Sequence, residues 1–245
     1  MVTKPPLVSV ITCVKNNEVY LHKCLSSIAS QTYPYIEHII VEGHSTDTSL
    51  QIVKKYISDH PHKNIKLYIR PAKGIANALN YGISKASGKF VHIVHSDDYY
   101  YSRYSVSKAV KVFKNNPGAT WIVGNHLLDV DGQVVTLENR LLAKKLGKYL
   151  IWLLPWMSHQ NMFYDREVYE HGGLYDESYG NSLDYEQWLR LIKKIPILVV
   201  NEKFSVFRVH LKSTTFNPMN LPRLLSENFR AVTSNLLSQK LPHSS

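Results

Sequence analysis

Within the first hundred residues, short apolar runs alternate with segments of helical period, and that alternation leaves few folds open to the chain. Residues 7–14 (LVSVITCV) are rich in β-branched side chains and follow Pro5-Pro6, which marks a first strand. From Glu18 onward, Leu21, Leu25 and Ile28 recur at the spacing of an amphipathic helix. Residues 36–41 read as a second strand, 48–59 as a helix and 65–69 as a third strand. Residues 74–86 read as a helix stopped by Ser87-Gly88, and residues 90–94 as a fourth strand. Strands and helices of these lengths in strict alternation imply a parallel, doubly wound sheet with right-handed crossovers.

The fourth run ends abruptly in two adjacent carboxylates, Asp97 and Asp98, followed by Tyr99, Tyr100 and Tyr101. In an open α/β sheet, ligands bind in the crevice outside the carboxyl ends of the strands. Two carboxylates there repel each other unless a cation or a donor-rich ligand lies between them, and a hard divalent ion carrying a phosphate suits that place. Capping of the following helix is the competing explanation.

After residue 100 the strict alternation breaks. Residues 104–115 read as a helix, and residues 120–128 and 133–137 as strands flanking Asp129-Val130-Asp131-Gly132, a hairpin signal. Residues 141–154 carry Lys144, Lys145 and Lys148 beside Leu141, Leu142, Leu146, Leu150 and Trp152. Such a segment either lies on a membrane surface or packs its apolar side on the core. Residues 159–164 read as a short strand, 183–191 as a helix, and 197–200 and 204–209 as strands. Residues 221–241 read as a final amphipathic helix.

The 245 residues include 16 Tyr and 4 Trp, enough aromatic mass for a substantial core. A net charge of +10 favours an anionic partner: nucleic acid, a phosphorylated ligand or an acidic membrane surface. No nucleic-acid-binding module is recognisable, so nucleic acid is not the expected partner. Cys13 and Cys24 form no CxxC and have no His at zinc-finger spacing, so both read as buried thiols of a reducing compartment. Residues 1–6 lack an apolar core, so no secretory leader is expected, and the longest apolar stretch, 149–157, is too short to cross a bilayer. A cytoplasmic protein with a membrane-facing surface is expected. The usual phosphate-loop, HExxH zinc and GxSxG nucleophile signatures are absent.

What remains is acidic residues at strand ends with basic residues around them, in an order that resembles family 2 glycosyltransferases of the GT-A fold. The first block runs from Val8-Ser9-Val10-Ile11-Thr12 through Asn16, Leu21, Gln31-Thr32-Tyr33 and Glu37 to Val41-Glu42-Gly43-His44-Ser45-Thr46-Asp47. Lys73-Gly74-Ile75, Ala78, Asn80, Gly82 and Ala86-Ser87-Gly88 form the second, and Ser96-Asp97-Asp98 the third. His159-Gln160 with Phe163, and Asp184-Tyr185-Glu186-Gln187-Trp188-Leu189-Arg190, complete the five. Together they cover about residues 5–215 in the family's order.

The resemblance implies an α/β, Rossmann-like GT-A domain: a mainly parallel sheet flanked by helices, with a mixed acceptor-side half. Residues 1–215 would be one catalytic domain, with 1–100 holding the nucleotide-sugar and 101–215 the acceptor, and 216–245 a helical tail. The implied activity is inverting transfer of a sugar from a nucleotide-sugar, most simply a UDP-sugar, to a saccharide or lipid-linked acceptor in cell-envelope synthesis, at the inner face of the membrane. The implied cofactor is Mn2+ or Mg2+, held by Asp98, with Asp97 contacting either the ribose or the ion's outer coordination sphere, and His210 as either an extra ligand or a solvated surface residue. Asp184 would be the base that deprotonates the acceptor hydroxyl, its competing role being a helix cap. Thr12, Asn16, Glu18 and Glu42 would form the base pocket. His159 and Gln160 would shape the acceptor side. Lys73 would face the diphosphate or solvent, and Arg190 would contact the diphosphate or pair with Glu186. The chain departs from the family at Glu42, Ala72 and Asn77, where carboxylates of Asp are usual, and Asn77 is a neutral stand-in. Those losses keep a second reading open, a nucleotide- or glycan-binding scaffold without turnover.

Overall fold

The computed structural model describes residues 4–138, 157–211, 213 and 217–237. Its sheet is built outward from β1 (Val8–Val14), in which every residue is buried. β1 pairs in parallel with β2 (Ile36–Glu42), which pairs in parallel with β3 (Asn64–Ile69). On its other side β1 pairs in parallel with β4 (Phe90–Ile93). Between these strands run α1 (Glu18–Ala29), α2 (Ser49–Asp59) and α3 (Ile75–Lys85). α1 buries Leu21, Cys24, Leu25 and Ile28, the helical stripe seen in the sequence. The chain thus winds away from β1 through β2 and β3, then returns to the opposite side at β4. The reversal opens a crevice beyond the carboxyl ends of β1 and β4.

At the other end of these strands a buried carboxylate closes the sheet. Glu37, fully buried, accepts hydrogen bonds from Ser9 Oγ (2.6 Å), the Ser87 and Gly88 amides (2.6 and 2.9 Å) and Lys66 Nζ (2.7 Å). Burial alone would raise its pKa, but the bonds from Lys66, Ser9 and Ser87 prevail and hold it at about 2. Gly88 sits where a Cβ would lie 2.7 Å from the Ser9 nitrogen and 2.8 Å from the Leu7 oxygen. Backbone cannot yield there cheaply, so Gly88→Ala is expected to cost about 2–3 kcal/mol of stability by denaturant unfolding.

The second half departs from winding. α4 (Ser105–Asn115) is followed by β6 (Trp121–Val123) and β7 (His126–Val130), reached after a two-residue strand β5 (Tyr99–Tyr100). One continuous strand over 120–128 was expected from the sequence. The chain is instead diverted at Gly124 and Asn125, whose amides bond the Asn161 and Glu202 oxygens at 2.8 Å each. The next elements are β8 (Gln133–Leu137), β9 (Met162–Asp165), α5 (Glu167–Gly172), α6 (Leu183–Leu191), β10 (Leu198–Val199), β11 (Ser205–Arg208) and α7 (Leu221–Leu237). The strand expected over 159–164 begins as a 3-10 turn, His159–Asn161, before β9. The large sheet has the order β10-β6-β9-β4-β1-β2-β3, with β9 antiparallel to both neighbours. A smaller sheet, β5-β11-β7-β8, includes the expected hairpin, turned by Asp131 and Gly132 at φ 50° and 87°. Trp121, Tyr164 and Trp188 fill one core cluster, and Phe163 and Phe204 another.

Both cysteines are free and buried, as expected, and burial pushes the Cys13 thiol up to about 12. Among the described residues no helix is long and apolar enough to cross a membrane. The basic segment 141–154 lies outside the described residues.

Candidate active site

The crevice beyond β1 and β4 is a cleft of about 880 Å3. On its donor side the loops after β1 and β2 are stitched together by side chains. Asn16, at φ 49°, accepts the Thr46 amide hydrogen at 2.8 Å, and Glu18 accepts the Thr48 amide and hydroxyl hydrogens at 2.9 and 2.5 Å. Asn17 Nδ2 donates to Ser96 Oγ at 2.7 Å, which ties the β1 loop to the β4 loop. Asn16 and Glu18 line the cleft, as do the cations Lys15, Arg70 and Lys73. Arg70 was not expected from the sequence. Its signal is its place directly after β3, at the same sheet edge as the other candidates.

Two expected base-pocket residues lie elsewhere. Thr12 is fully buried, its hydroxyl bonded to His38 Nε2 at 3.1 Å. Glu42 is also fully buried, and its two oxygens accept the amide hydrogens of His44 (3.0 Å) and Ser45 (2.7 Å). Its carboxylate therefore shapes its own loop, where His44 adopts a φ of 54°.

The adjacent acids are placed differently from one another. Asp98 is fully buried, with Oδ1 accepting the Arg208 amide hydrogen (2.9 Å) and Oδ2 the Gln160 side-chain amide hydrogen (2.9 Å). Burial first, and then the charge of Asp97, push its carboxyl well above the usual range. Asp97 is partly exposed at the cleft, with its Oδ2 3.0 Å from His210 Nε2. Burial works against its charge, but the His210 hydrogen bond and nearby His95 outweigh it, and its pKa falls. The Tyr20 ring lies tilted by 36° against the His210 ring at 4.4 Å, and the buried His210 Nδ1 has no hydrogen-bond partner among the described residues.

Across the cleft, α6 carries Asp184 in its first turn. Ser182, not Asp184, holds the cap position, and Asp184 Oδ1 accepts the Tyr185 amide hydrogen at 2.7 Å. Burial pushes the Asp184 carboxyl up to about 6, within reach of a neutral-pH base. His159 also faces the cleft, bonded to the Tyr175 hydroxyl at 2.5 Å, and burial holds it well below the usual range, hence neutral. Gln160 reaches Asp98, as given above. Arg190 does not line the cleft. It pairs with Glu186 at 2.7 Å and donates to the Gly172 and Leu174 carbonyls, fixing the α5–α6 connection.

Asn77 lines the cleft, but its amide is engaged by Glu177, at 3.1 and 3.0 Å from the two carboxylate oxygens. Asp at this position would face Glu177 with like charge. Asn77→Asp is therefore expected to lower stability by about 1 kcal/mol, a fall in Tm of about 2–4 °C that salt reduces.

Comparison with known proteins agrees with this architecture. The model for glycosyl transferase family 2 matches residues 9–173. An uncharacterized glycosyltransferase of Rickettsia typhi is 27% identical over 243 residues, covering 97% of this chain and 73% of that protein. Hyaluronan synthase of Pasteurella multocida is 27% identical over 191 residues, 78% of this chain and 19% of the synthase. Among solved structures, Staphylococcus aureus TarS 1-349 in complex with UDP-GlcNAc superposes with a TM-score of 0.77 at 21% identity, covering 97% of this chain and 68% of that one. The mannosyltransferase PcManGT of Pyrobaculum calidifontis, in complex with GDP-Man and Mn2+, gives 0.76 at 20% identity, covering 95% and 65%. The fold is GT-A. The chain belongs to glycosyl transferase family 2 and is a glycosyltransferase.

Proposed function

We propose that the chain transfers a sugar from a nucleotide-sugar, a UDP-sugar first, to a saccharide or lipid-linked hydroxyl with inversion at the anomeric carbon. One observation carries the reading: a single cleft joins the Asp97–His210 pair and three cations to Asp184, whose raised pKa suits a base. Asp184 takes the acceptor proton. The acceptor oxygen forms its bond to the anomeric carbon as the bond to the nucleoside diphosphate breaks, and the electron pair leaves with the diphosphate. Lys15, Arg70 and Lys73 favour the developing negative charge.

The residues fit a hard divalent cation shared with a diphosphate, and we assign it first to Asp97 rather than to Asp98, the ligand expected from the sequence. Both acids line the cleft, but Asp98 is fully buried with its two oxygens engaged by Gln160 and Arg208, whereas Asp97 is partly exposed and faces His210 Nε2. Asp97 and His210 would hold Mn2+ or Mg2+, with Asp98 as support behind them. Among the described residues no cluster of three or more His, Cys, Asp or Glu is arranged to hold an ion, so the diphosphate and water would complete its shell. The bound ion would neutralise charge on the departing diphosphate.

The neighbours in complex with UDP-GlcNAc and with GDP-Man support a nucleotide-sugar donor. Contact with a lipid surface is supported by Leu221, Leu225 and Phe229, which lie one helical turn apart on α7 and are 51%, 59% and 72% exposed. Co-sedimentation with anionic vesicles is expected, and its absence would leave a soluble acceptor. A thermal-shift screen of UDP-, dTDP- and GDP-sugars with Mn2+ identifies the donor. An assay of nucleoside diphosphate release then separates a transferase from a binding scaffold.

A further inference from the structure

Two sets of contacts hold α6. Its far half is pinned by Trp188 Nε1 on the Tyr164 hydroxyl (3.0 Å) and by Arg190 on the carbonyls before it. Its first turn, which carries Asp184, is held from α7. The Glu227 carboxylate accepts three successive amide hydrogens, from Gly180 (3.1 Å), Asn181 (2.7 Å) and Ser182 (2.9 Å). No side-chain hydrogen bond from Ser182 caps the helix among the described residues, and Glu227, 45 residues away, instead holds the segment that leads into its first turn. Glu227 is buried, and Arg223, one turn back on α7, closes its outer side at 2.8 Å. Arg230, one turn on, donates to the Ser178 carbonyl at 2.9 Å and covers the Tyr179 ring. Between these anchors, Leu224 and Asn228 line the cleft beside Asp184.

We propose that Glu227 is a positioning residue for sugar transfer: it fixes the segment 180–182 and so aims the Asp184 carboxylate, while Leu224 and Asn228 make α7 a wall of the acceptor side. The proposal rests on Asp184 as the base. A carboxylate is needed because four donors converge on it, three amides and the Arg223 guanidinium. Glutamine would offer one acceptor oxygen and turn its own N–H groups toward the remaining amides. Misplacement of a reacting group by about 1 Å costs on the order of 100-fold in rate.

The test compares parent, Glu227→Gln and, as a control on the exposed side of the same helix, Ser226→Ala. Amide exchange is expected to quicken at least about tenfold over residues 180–185 in Glu227→Gln and to stay at the parent rate in Ser226→Ala. UDP–Mn2+ binding by calorimetry is expected to keep its stoichiometry and affinity. With the donor chosen by thermal shift, kcat is expected to fall about 10- to 100-fold with the donor KM within twofold. On an Asp184→Asn background, Glu227→Gln is expected to cost nothing further, whereas a general loss of structure would add. Should Glu227→Gln unfold, Glu227→Asp, which keeps the charge but retracts it, is read in its place. Unchanged exchange over 180–185, an unchanged kcat in an active parent, or additive losses each overturn the proposal. Full activity of Asp184→Asn overturns the base reading instead. With a parent that turns over no donor, the exchange result alone decides whether Glu227 is the anchor.

Discussion

Asp184→Asn is expected to lose about 10^2- to 10^4-fold in turnover, keep its affinity for UDP, and become more stable than the parent at pH 8. The Asn oxygen can still accept the Tyr185 amide hydrogen, so the helix start is preserved. What changes is the ionisable proton. Burial raises the carboxyl from 3.8 to about 6, so the folded state holds that proton more tightly than the unfolded chain does. The resulting stabilisation is complete below about pH 4 and is lost as pH rises through 6. Above that pH the ionised carboxylate costs the fold about 2 kcal/mol, after allowance for water reaching it from the cleft. Asp184→Asn removes this cost, so its Tm should exceed the parent's by several degrees at pH 8 and match it near pH 4. The parent's rate should rise about tenfold per pH unit up to 6 and then level off. A variant that is inactive and less stable at every pH would point to a structural role.

The second large effect separates the adjacent acids. Asp97→Ala is expected to lose at least about 100-fold in Mn2+-dependent UDP affinity, measured by calorimetry with and without EDTA, at nearly unchanged stability. Asp98→Ala should do the reverse. It strands the Arg208 amide and the Gln160 side chain in a fully buried site, at a cost of about 2–4 kcal/mol by denaturant unfolding. Should Asp98→Ala lose metal affinity in a stable fold while Asp97→Ala binds normally, the assignment first expected from the sequence is restored.

The pair shows why part of the site was legible and part was not. That residues 90–98 form a buried strand ending at a ligand crevice follows from local pattern, since each residue's apolarity reports its own burial. Which of two neighbouring carboxylates turns inward does not. That is decided by Gln160 and Arg208, 62 and 110 residues away. Thr12, Glu42 and Arg190 do not line the cleft for the same reason: His38, the loop amides of His44 and Ser45, and Glu186 claim them. For Arg190 the i+4 pairing with Glu186 prevails over the cleft. The winding order of β1 to β4 was readable because every strand and helix in it carries its own period. The split between β6 and β7 was not, because the partners that divert Gly124 and Asn125 lie at residues 161 and 202. β5 escaped notice because its two residues are strand only through pairing with β11. The last helix read as an amphipathic tail. It packs on the core through Ala231, and its hold on the segment before α6 comes from Glu227, a charged residue on a face where apolar ones were sought.

The most direct measurement is release of nucleoside diphosphate from the sugar nucleotide giving the largest thermal shift, with Mn2+, by the parent and by Asp184→Asn. The expected result is turnover by the parent that EDTA abolishes and that falls at least about 100-fold in Asp184→Asn, with both proteins binding UDP equally. Equal turnover by the two proteins, or UDP–Mn2+ binding by a parent that releases nothing from any donor, would contradict it.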